Sequence, residues 1–409
     1  MSFVNFEPFY SRPGTVYNLP GFEPQTVDKA YLERLQVEVE PSEETLRGLA
    51  AGSEVFKRRF AEGLLIPRQR YSLDTIDPSA VTPEIHNYTG RCPALTWEVN
   101  PVKGCTVGCQ YCLVSDGVHE QELVAHENYH LYVRRLLEEQ NGPGSANERH
   151  YYYFSPKTEA FQEATLYTGI AHRVLREFID HFSHCPQSQA RLFIASKAGA
   201  RHLECKDEGE SILDLFVRLR GKMQFNTSVS IMPDAFRDIL EPFAAPLSER
   251  LEAVRLCREA GIPANSALVQ PIITPWLTEE HITEFFGALH GAGIINYKPE
   301  FLTACVENLA MLGQYLGYFD KKLERKLYED YLMPSNEGHR KQRGRIAPDK
   351  GRSRECLRDL TAVSDRLGMS ISICYWVRKQ LGISEEDIPI INRNGFQCLG
   401  YQSRLFGDV

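Results

Sequence analysis

Residues 96–112 read Thr96-Trp-Glu-Val-Asn-Pro-Val-Lys-Gly-Cys-Thr-Val-Gly-Cys-Gln-Tyr-Cys112, a short strand-like run followed by three cysteines spaced C-x3-C-x2-C. On one tight loop, the thiolates of Cys105, Cys109 and Cys112 can hold three corners of a [4Fe-4S] cube and leave the fourth iron open for a substrate or cofactor. Gly104 and Gly108 suit that task, because glycine lets the backbone wrap closely and aim amides at cluster sulfides. The competing reading is a structural zinc, which takes four ligands, usually as two close pairs. His119 lies seven residues after Cys112 and would close a Cys3His site, but the other eight cysteines are all singletons and supply no second pair. The spacing therefore favours the cluster over the single ion.

From Thr96 onward strands and helices alternate. Thr96–Asn100, Tyr151–Ser155, Arg191–Ser196, Phe225–Ile231, Ala267–Ile273 and Ile294–Tyr297 are short and rich in β-branched and aromatic residues, as strands are. Helices are expected at Glu122–Gln140, Ala164–Phe182, Ser211–Gly221, Ser248–Ala260 and Thr278–Gly291. The fourth shows the pattern: Leu247, Leu251, Val254 and Cys257 recur at three and four, Ser248 can cap the start, and Gly261 stops the helix before Pro263. Cys257 is thereby expected in the core. Six such alternations predict an α/β fold, a parallel sheet with helices outside that curls into a partial (β/α)6 TIM-type barrel. Residues 95–300 form this core, 1–94 an N-terminal extension with one short helix near Ser42–Ala51, and 301–409 a C-terminal extension expected to cover the barrel mouth. Chemistry in such sheets collects at the C-terminal ends of the strands, which is where the cysteine loop lies.

Bulk properties agree with a cytoplasmic enzyme. The chain has 409 residues, 24% charged and 43% hydrophobic, with a net charge of -8 that disfavours nonspecific binding to nucleic acid or anionic membrane. No apolar run is long enough to span a membrane. Eleven cysteines, an odd number in no paired framework, fit a reducing cytosol.

The cysteine loop, with Tyr111 just before its third cysteine and six βα units behind it, resembles the radical S-adenosylmethionine superfamily. Phe154-Ser-Pro-Lys-Thr-Glu-Ala, Arg191-Leu-Phe-Ile-Ala-Ser-Lys, Ser228-Val-Ser-Ile-Met-Pro-Asp, Leu240-Glu-Pro, Glu249-Arg-Leu-Glu-Ala and Val269-Gln-Pro-Ile-Ile are similar, in that order, to segments of spore photoproduct lyase-like members. The resemblance implies that Cys105, Cys109 and Cys112 ligate the cluster and that S-adenosylmethionine chelates the open iron. It also implies that an external one-electron reductant such as flavodoxin or ferredoxin supplies the electron, and that a 5′-deoxyadenosyl radical takes a hydrogen atom from substrate. Carried over by position, the backbone around Tyr111 faces adenine. Ser155 contacts the cofactor, with Glu159 as the alternative partner for the methionine ammonium. Lys197 faces the methionine carboxylate, Ser228 and Ser230 reach the ribose, and Gln270 with Pro271 lies against adenine.

One departure concerns the substrate. The lyase carries a cysteine immediately before the strand-two serine to return a hydrogen atom to product, and this chain has Phe154 there. Cys398, in Asn394-Gly-Phe-Gln-Cys-Leu-Gly-Tyr401, is the alternative hydrogen donor, with Cys305 behind it. His339-Arg-Lys-Gln-Arg-Gly-Arg345 and Lys350-Gly-Arg-Ser-Arg354 read as a basic loop able to cradle a phosphate. Ranked in order, the expectations are a small polar substrate such as a sugar or nucleoside, then repair or modification of nucleic acid, then a nonenzymatic zinc-binding module.

Overall fold

The computed structural model describes residues 3–10, 19–85, 96–112, 123–333 and 345–373. Its centre is a seven-stranded sheet. In chain order the strands are β1 (Thr96–Val99), β2 (Tyr151–Phe154), β3 (Arg191–Ser196), β4 (Met223–Val229), β5 (Ser266–Ile272), β6 (Asn296–Phe301) and β7 (Ser370–Ile371). Every neighbouring pair is parallel and spatial order follows sequence order, so the sheet is singly wound, as in a partial TIM-type barrel. β1 and β7 lie at the two ends of the order and are not paired with each other. The free edge of β1 is covered by the segment before it, through an antiparallel bridge from Ile85 to Trp97 and a 2.9 Å bond from the Glu98 amide to the Glu84 carbonyl.

Side-chain alternation divides the sheet into two unlike faces. Tyr152, Phe154, Leu192, Ile194, Phe225, Ala267, Val269 and Tyr297 join the large core formed with the helices, and Cys257 is buried there as expected. The registers place Glu98 beside Tyr153, Tyr153 beside Phe193, Phe193 beside Gln224, Ser228 beside Leu268 and Leu268 beside Lys298. All of these share the other, concave face. Tyr153, Phe193 and Leu268 make a small apolar plug on it. Towards the C-terminal ends this face turns polar, with Glu98, Asn226, Ser228, Gln270, Lys298 and Glu300 at inward positions.

Several elements differ from expectation. The helix expected over 122–140 is a strand, Leu123–His126, followed by a helix, Tyr129–Asn141. The strand exists because Val102–Lys103 and Arg70–Asp74 flank it in a second, four-stranded sheet, a pairing that no local pattern announces. The helix expected over 164–182 breaks into Glu163–Tyr167 and Ile170–His184, since Gly169 stands at φ +68° between them. Helix Leu247–Glu259 starts after Pro246, and Ser248 does not cap it; proline suits this place because the first amides of a helix have no internal partner. Lys350–Arg354 is the first turn of helix Lys350–Arg366, capped by Asp349, rather than part of a loop. Arg352 there is paired with Glu355 and lies 3.8 Å from Asp330. The seventh strand of the sheet, Ser370–Ile371, is the last strand among the described residues.

The N-terminal segment holds two helices, Lys29–Arg34 and Glu43–Ala61, where one short helix was expected. Ser42 caps the second by accepting from the Thr45 amide. Helix Glu43–Ala61 packs on Val306–Phe319, and Leu49, Phe56, Leu309, Leu312, Leu316 and Tyr328 share a second core that also takes in Tyr111 of the cysteine loop. Thus segments from both ends of the chain brace that loop from behind. Contact between the two helices requires Gly52, where an added Cβ would lie 2.3 Å from the Glu307 carbonyl oxygen. Gly52→Ala should lower unfolding stability by ~1–3 kcal/mol in urea titrations, as overpacking does. A variant within about 0.5 kcal/mol of wild type would contradict this packing.

Candidate functional site

The three cysteines are partly accessible and form no disulfide. Their side chains line one cavity of about 440 Å³, together with Glu98, Asn100, Lys157 and Thr158 from the ends of β1 and β2. Gly104 (φ +87°) and Gly108 (φ +73°) turn the backbone around them. A Cβ on Gly108 would come within 2.8 Å of Pro67 and 3.2 Å of Pro242, so glycine is required by both conformation and space. The loop is docked by its backbone: Thr106 donates to Gln162 Oε1 (3.1 Å), Gln110 to the Leu240 carbonyl (2.9 Å), and Phe243 to the Val107 carbonyl (3.3 Å). Burial pushes the Cys105 thiol up to about 12, while hydrogen bonds from the backbone at Val107 and Glu159 pull the other way. Burial also raises Cys109 well above the usual thiol range, opposed by the charge of Lys197. Burial thus disfavours the thiolate at Cys105 and Cys109, and a bound cationic group would displace their protons.

Among the described residues, no group of three His, Cys, Asp or Glu side chains converges closely enough to hold one metal ion. As a donor set, three thiols around one cavity fit the corners of an iron–sulfur cluster that has three protein ligands. His119, the fourth ligand of the zinc alternative, lies outside the described residues, as does Cys398.

Ser155 follows β2 with φ +52°, a left-handed conformation that a serine rarely adopts. It is 2% exposed, and its hydroxyl has no hydrogen-bond partner among the described residues. An unpaired buried hydroxyl costs about 1–3 kcal/mol. Glu159 is differently employed. Its carboxylate accepts from the Phe161 amide (3.1 Å), the Ser196 hydroxyl (2.5 Å) and the Lys197 amide (2.8 Å), joining the turn after β2 to the end of β3.

Lys197 directs its ammonium to Ser228 Oγ at 3.3 Å, lies 3.8 Å from Glu241 Oε1, and sits 5.9 Å from the Tyr111 ring centroid. Ser230 shares the face of Ser228 but donates its hydroxyl to the Pro271 carbonyl at 2.5 Å. Gln270 and Pro271 occupy the register shift between Val269 and Ile272. The structure thus brings Cys105, Cys109, Cys112, Ser155, Glu159, Lys197, Ser228 and Ser230 to one end of the sheet. Cys305 is the N-cap of helix Val306–Phe319. Phe154 packs into the helix-side core against Phe161, with ring centroids 5.9 Å apart.

Three site residues escaped the sequence reading: Glu241, Arg237 and Arg250, none with exposed side chain. Glu241 ends the short helix Asp234–Leu240 and bonds Tyr111 Oη and Arg250, with Arg237 at 3.4 Å. Despite burial, the charges of Arg250, Lys197 and Arg237 hold its carboxyl well below the usual range, and Glu241 in turn raises Arg250. The spacing Arg237 to Glu241, four apart on a helix, was a visible signal, but such pairs are ordinarily solvated.

No family model matches this chain, and no curated protein matches it in sequence. Among solved structures it is similar to methylornithine synthase, at 9% identity over 87% of this chain and 77% of that one, with a TM-score of 0.37. It is also similar to a deoxyribose-phosphate aldolase candidate from Coccidioides immitis, at 10% identity over 48% and 72% of the two chains, with a TM-score of 0.21. Likenesses this loose carry no conclusion about the site.

Gly108→Ala should forfeit the docked loop, since φ +73° costs an alanine about 1–2 kcal/mol before the overlap with Pro67 is counted. The expected outcome is faster reaction of Cys105 and Cys109 with a thiol reagent at unchanged far-UV circular dichroism. Unaltered thiol rates would refute the role given to Gly108.

Proposed function

We propose that this chain is a radical S-adenosylmethionine enzyme that binds a [4Fe-4S] cluster through Cys105, Cys109 and Cys112 and acts on a small polar molecule. The observation that carries the reading is the three cysteines around one cavity, at the C-terminal end of the first strand of a parallel sheet, beside the unpartnered Ser155 hydroxyl. The chemistry supplied by the cluster when bound is one-electron cleavage of the sulfonium S–C5′ bond, yielding methionine and the 5′-deoxyadenosyl radical that removes a hydrogen atom from substrate. A one-electron donor such as flavodoxin or ferredoxin and a cytoplasmic location complete the reading.

This chain's own residues bind and orient. Lys197 has a charge suited to the methionine carboxylate, and Ser228 limits its swing. Ser155 offers a buried hydroxyl. Glu159 fixes the Lys197 backbone and so places that ammonium indirectly. The polar concave positions Glu98, Asn226, Gln270, Lys298 and Glu300 suit a small substrate rich in hydroxyl, amino or acidic groups better than a hydrocarbon. Phe154, turned into the helix-side core, offers no hydrogen to a substrate radical, so repair in the manner of spore photoproduct lyase would need a different donor.

Two outcomes test the reading. Protein reconstituted anaerobically with iron and sulfide, then given dithionite and S-adenosylmethionine, should release 5′-deoxyadenosine, and Cys109→Ala should release none; a colourless wild-type chain holding one zinc would overturn the proposal. Ser155→Ala should leave folding stability within about 0.5 kcal/mol of wild type or raise it, because an unsatisfied hydroxyl is removed. The same variant should weaken S-adenosylmethionine binding several-fold, and unchanged binding would take Ser155 out of the site.

A further inference from the structure

Resting on that reading, we propose that Glu241 is a positioning residue that holds Lys197 in place for the carboxylate of S-adenosylmethionine. The two oxygens of Glu241 divide their work. Oε2 faces the guanidinium groups of Arg250 and Arg237, while Oε1 faces Tyr111 Oη and the Lys197 ammonium. The arginines are anchored independently of Glu241. Arg250 donates to the carbonyls of Ala245 (2.7 Å) and Ser228 (3.0 Å), and Arg237 donates to those of Ser230 (3.1 Å) and Met232 (3.2 Å). They form a rigid frame for one carboxylate, fastened to the end of β4 and the loop beyond it.

Lys197 is held to this frame without being consumed by it. At 3.8 Å from Oε1 it is attracted by the charge of Glu241 but is beyond a good hydrogen bond, and the hydroxyl to which it donates, Ser228 Oγ at 3.3 Å, is itself a site residue. Its side chain is 14% exposed, so the ammonium reaches the mouth of the sheet while its direction is fixed from behind. Around Glu241 stand three cations, and the other carboxylate beside Arg237 is the exposed Asp234 at 3.4 Å. Positive charge is thus in excess at Lys197, the cation nearest Ser228 and the cysteine loop, which is the arrangement an incoming carboxylate would complete. A glutamine at 241 that kept its oxygen on the arginines would turn an amide NH2 towards Lys197 and push the ammonium away.

The experiment compares two ligands on reconstituted protein: S-adenosylmethionine and decarboxylated S-adenosylmethionine, which lacks the carboxylate. Cluster content is followed by absorbance and binding by equilibrium dialysis. Glu241→Gln should keep its cluster and lose at least tenfold in affinity for the first ligand, with less than threefold change for the second. Lys197→Met should show the same selectivity, and the double variant should be no worse than Lys197→Met alone. Should Glu241→Gln fail to fold, Glu241→Asp must show the same ligand-selective loss at smaller size. Equal loss for both ligands, or additive losses in the double variant, would reduce Glu241 to a packing residue and overturn the inference. A wild-type chain that holds a cluster but binds neither ligand would overturn the enzyme reading, and this inference with it.

Discussion

A carboxylate without exposed surface, Glu241, is the contact on which the site's geometry depends. Leaving a buried charge unpaired is expensive, and removing one partner of such a pair typically costs about 3–5 kcal/mol. Here Arg237 and Arg250 neutralise Glu241, and both arginines also donate to backbone carbonyls at and after the end of β4. Tyr111 brings the cysteine loop to the same carboxylate, and Lys197 brings the end of β3 near it. Three loops from three different βα units are thereby tied at one point. The adjacent Leu240 carbonyl, which accepts from the Gln110 amide, fixes the loop's height above the sheet.

Around that point, the alternation of the strands does the rest. Outward residues are largely apolar and bury against helices; inward residues form an apolar plug of Tyr153, Phe193 and Leu268, with Tyr151 and Ala195 against it, and become polar above it. A parallel sheet that carries Glu98, Asn226, Gln270 and Lys298 inward has given up apolar burial on that face, and binding a polar molecule there is a physical reason for it. The left-handed Ser155 belongs to the same economy, because strain and an unsatisfied hydroxyl at a strand end persist only where surrounding contacts enforce them. Bracing comes from the second core, where helices Glu43–Ala61 and Val306–Phe319 close behind Tyr111. Among the described residues no helix is long and apolar enough to cross a membrane.

Much of this was legible in the chain. Arg191–Ser196 appears as expected from its β-branched and aromatic content, and the other five barrel strands fall within a few residues of their expected limits, because short buried strands carry a strong local signal. The cysteine spacing was read directly from the residues, and Ser155, Lys197 and Ser228 came from the family resemblance, position by position. What stayed hidden depends on distant partners. Leu123–His126 is a strand only because Arg70–Asp74 lies beside it, and the Glu163–His184 region reads as one helix until Gly169 is seen in its left-handed turn. Glu241 and Arg250 are nine residues apart across a helix boundary, a spacing that no periodicity links. Lys350–Arg354 looked like a charged loop because helix-starting basic residues and solvated basic loops have the same composition.

The central claim is that three cysteines hold a four-iron cluster whose fourth iron is open to S-adenosylmethionine. Mössbauer spectroscopy of protein reconstituted with iron-57, before and after S-adenosylmethionine is added, tests it most directly. The account predicts about four irons per chain, with one iron site in four changing its isomer shift when the ligand binds. A mononuclear site, or a cluster whose four irons are all indifferent to S-adenosylmethionine, would contradict it.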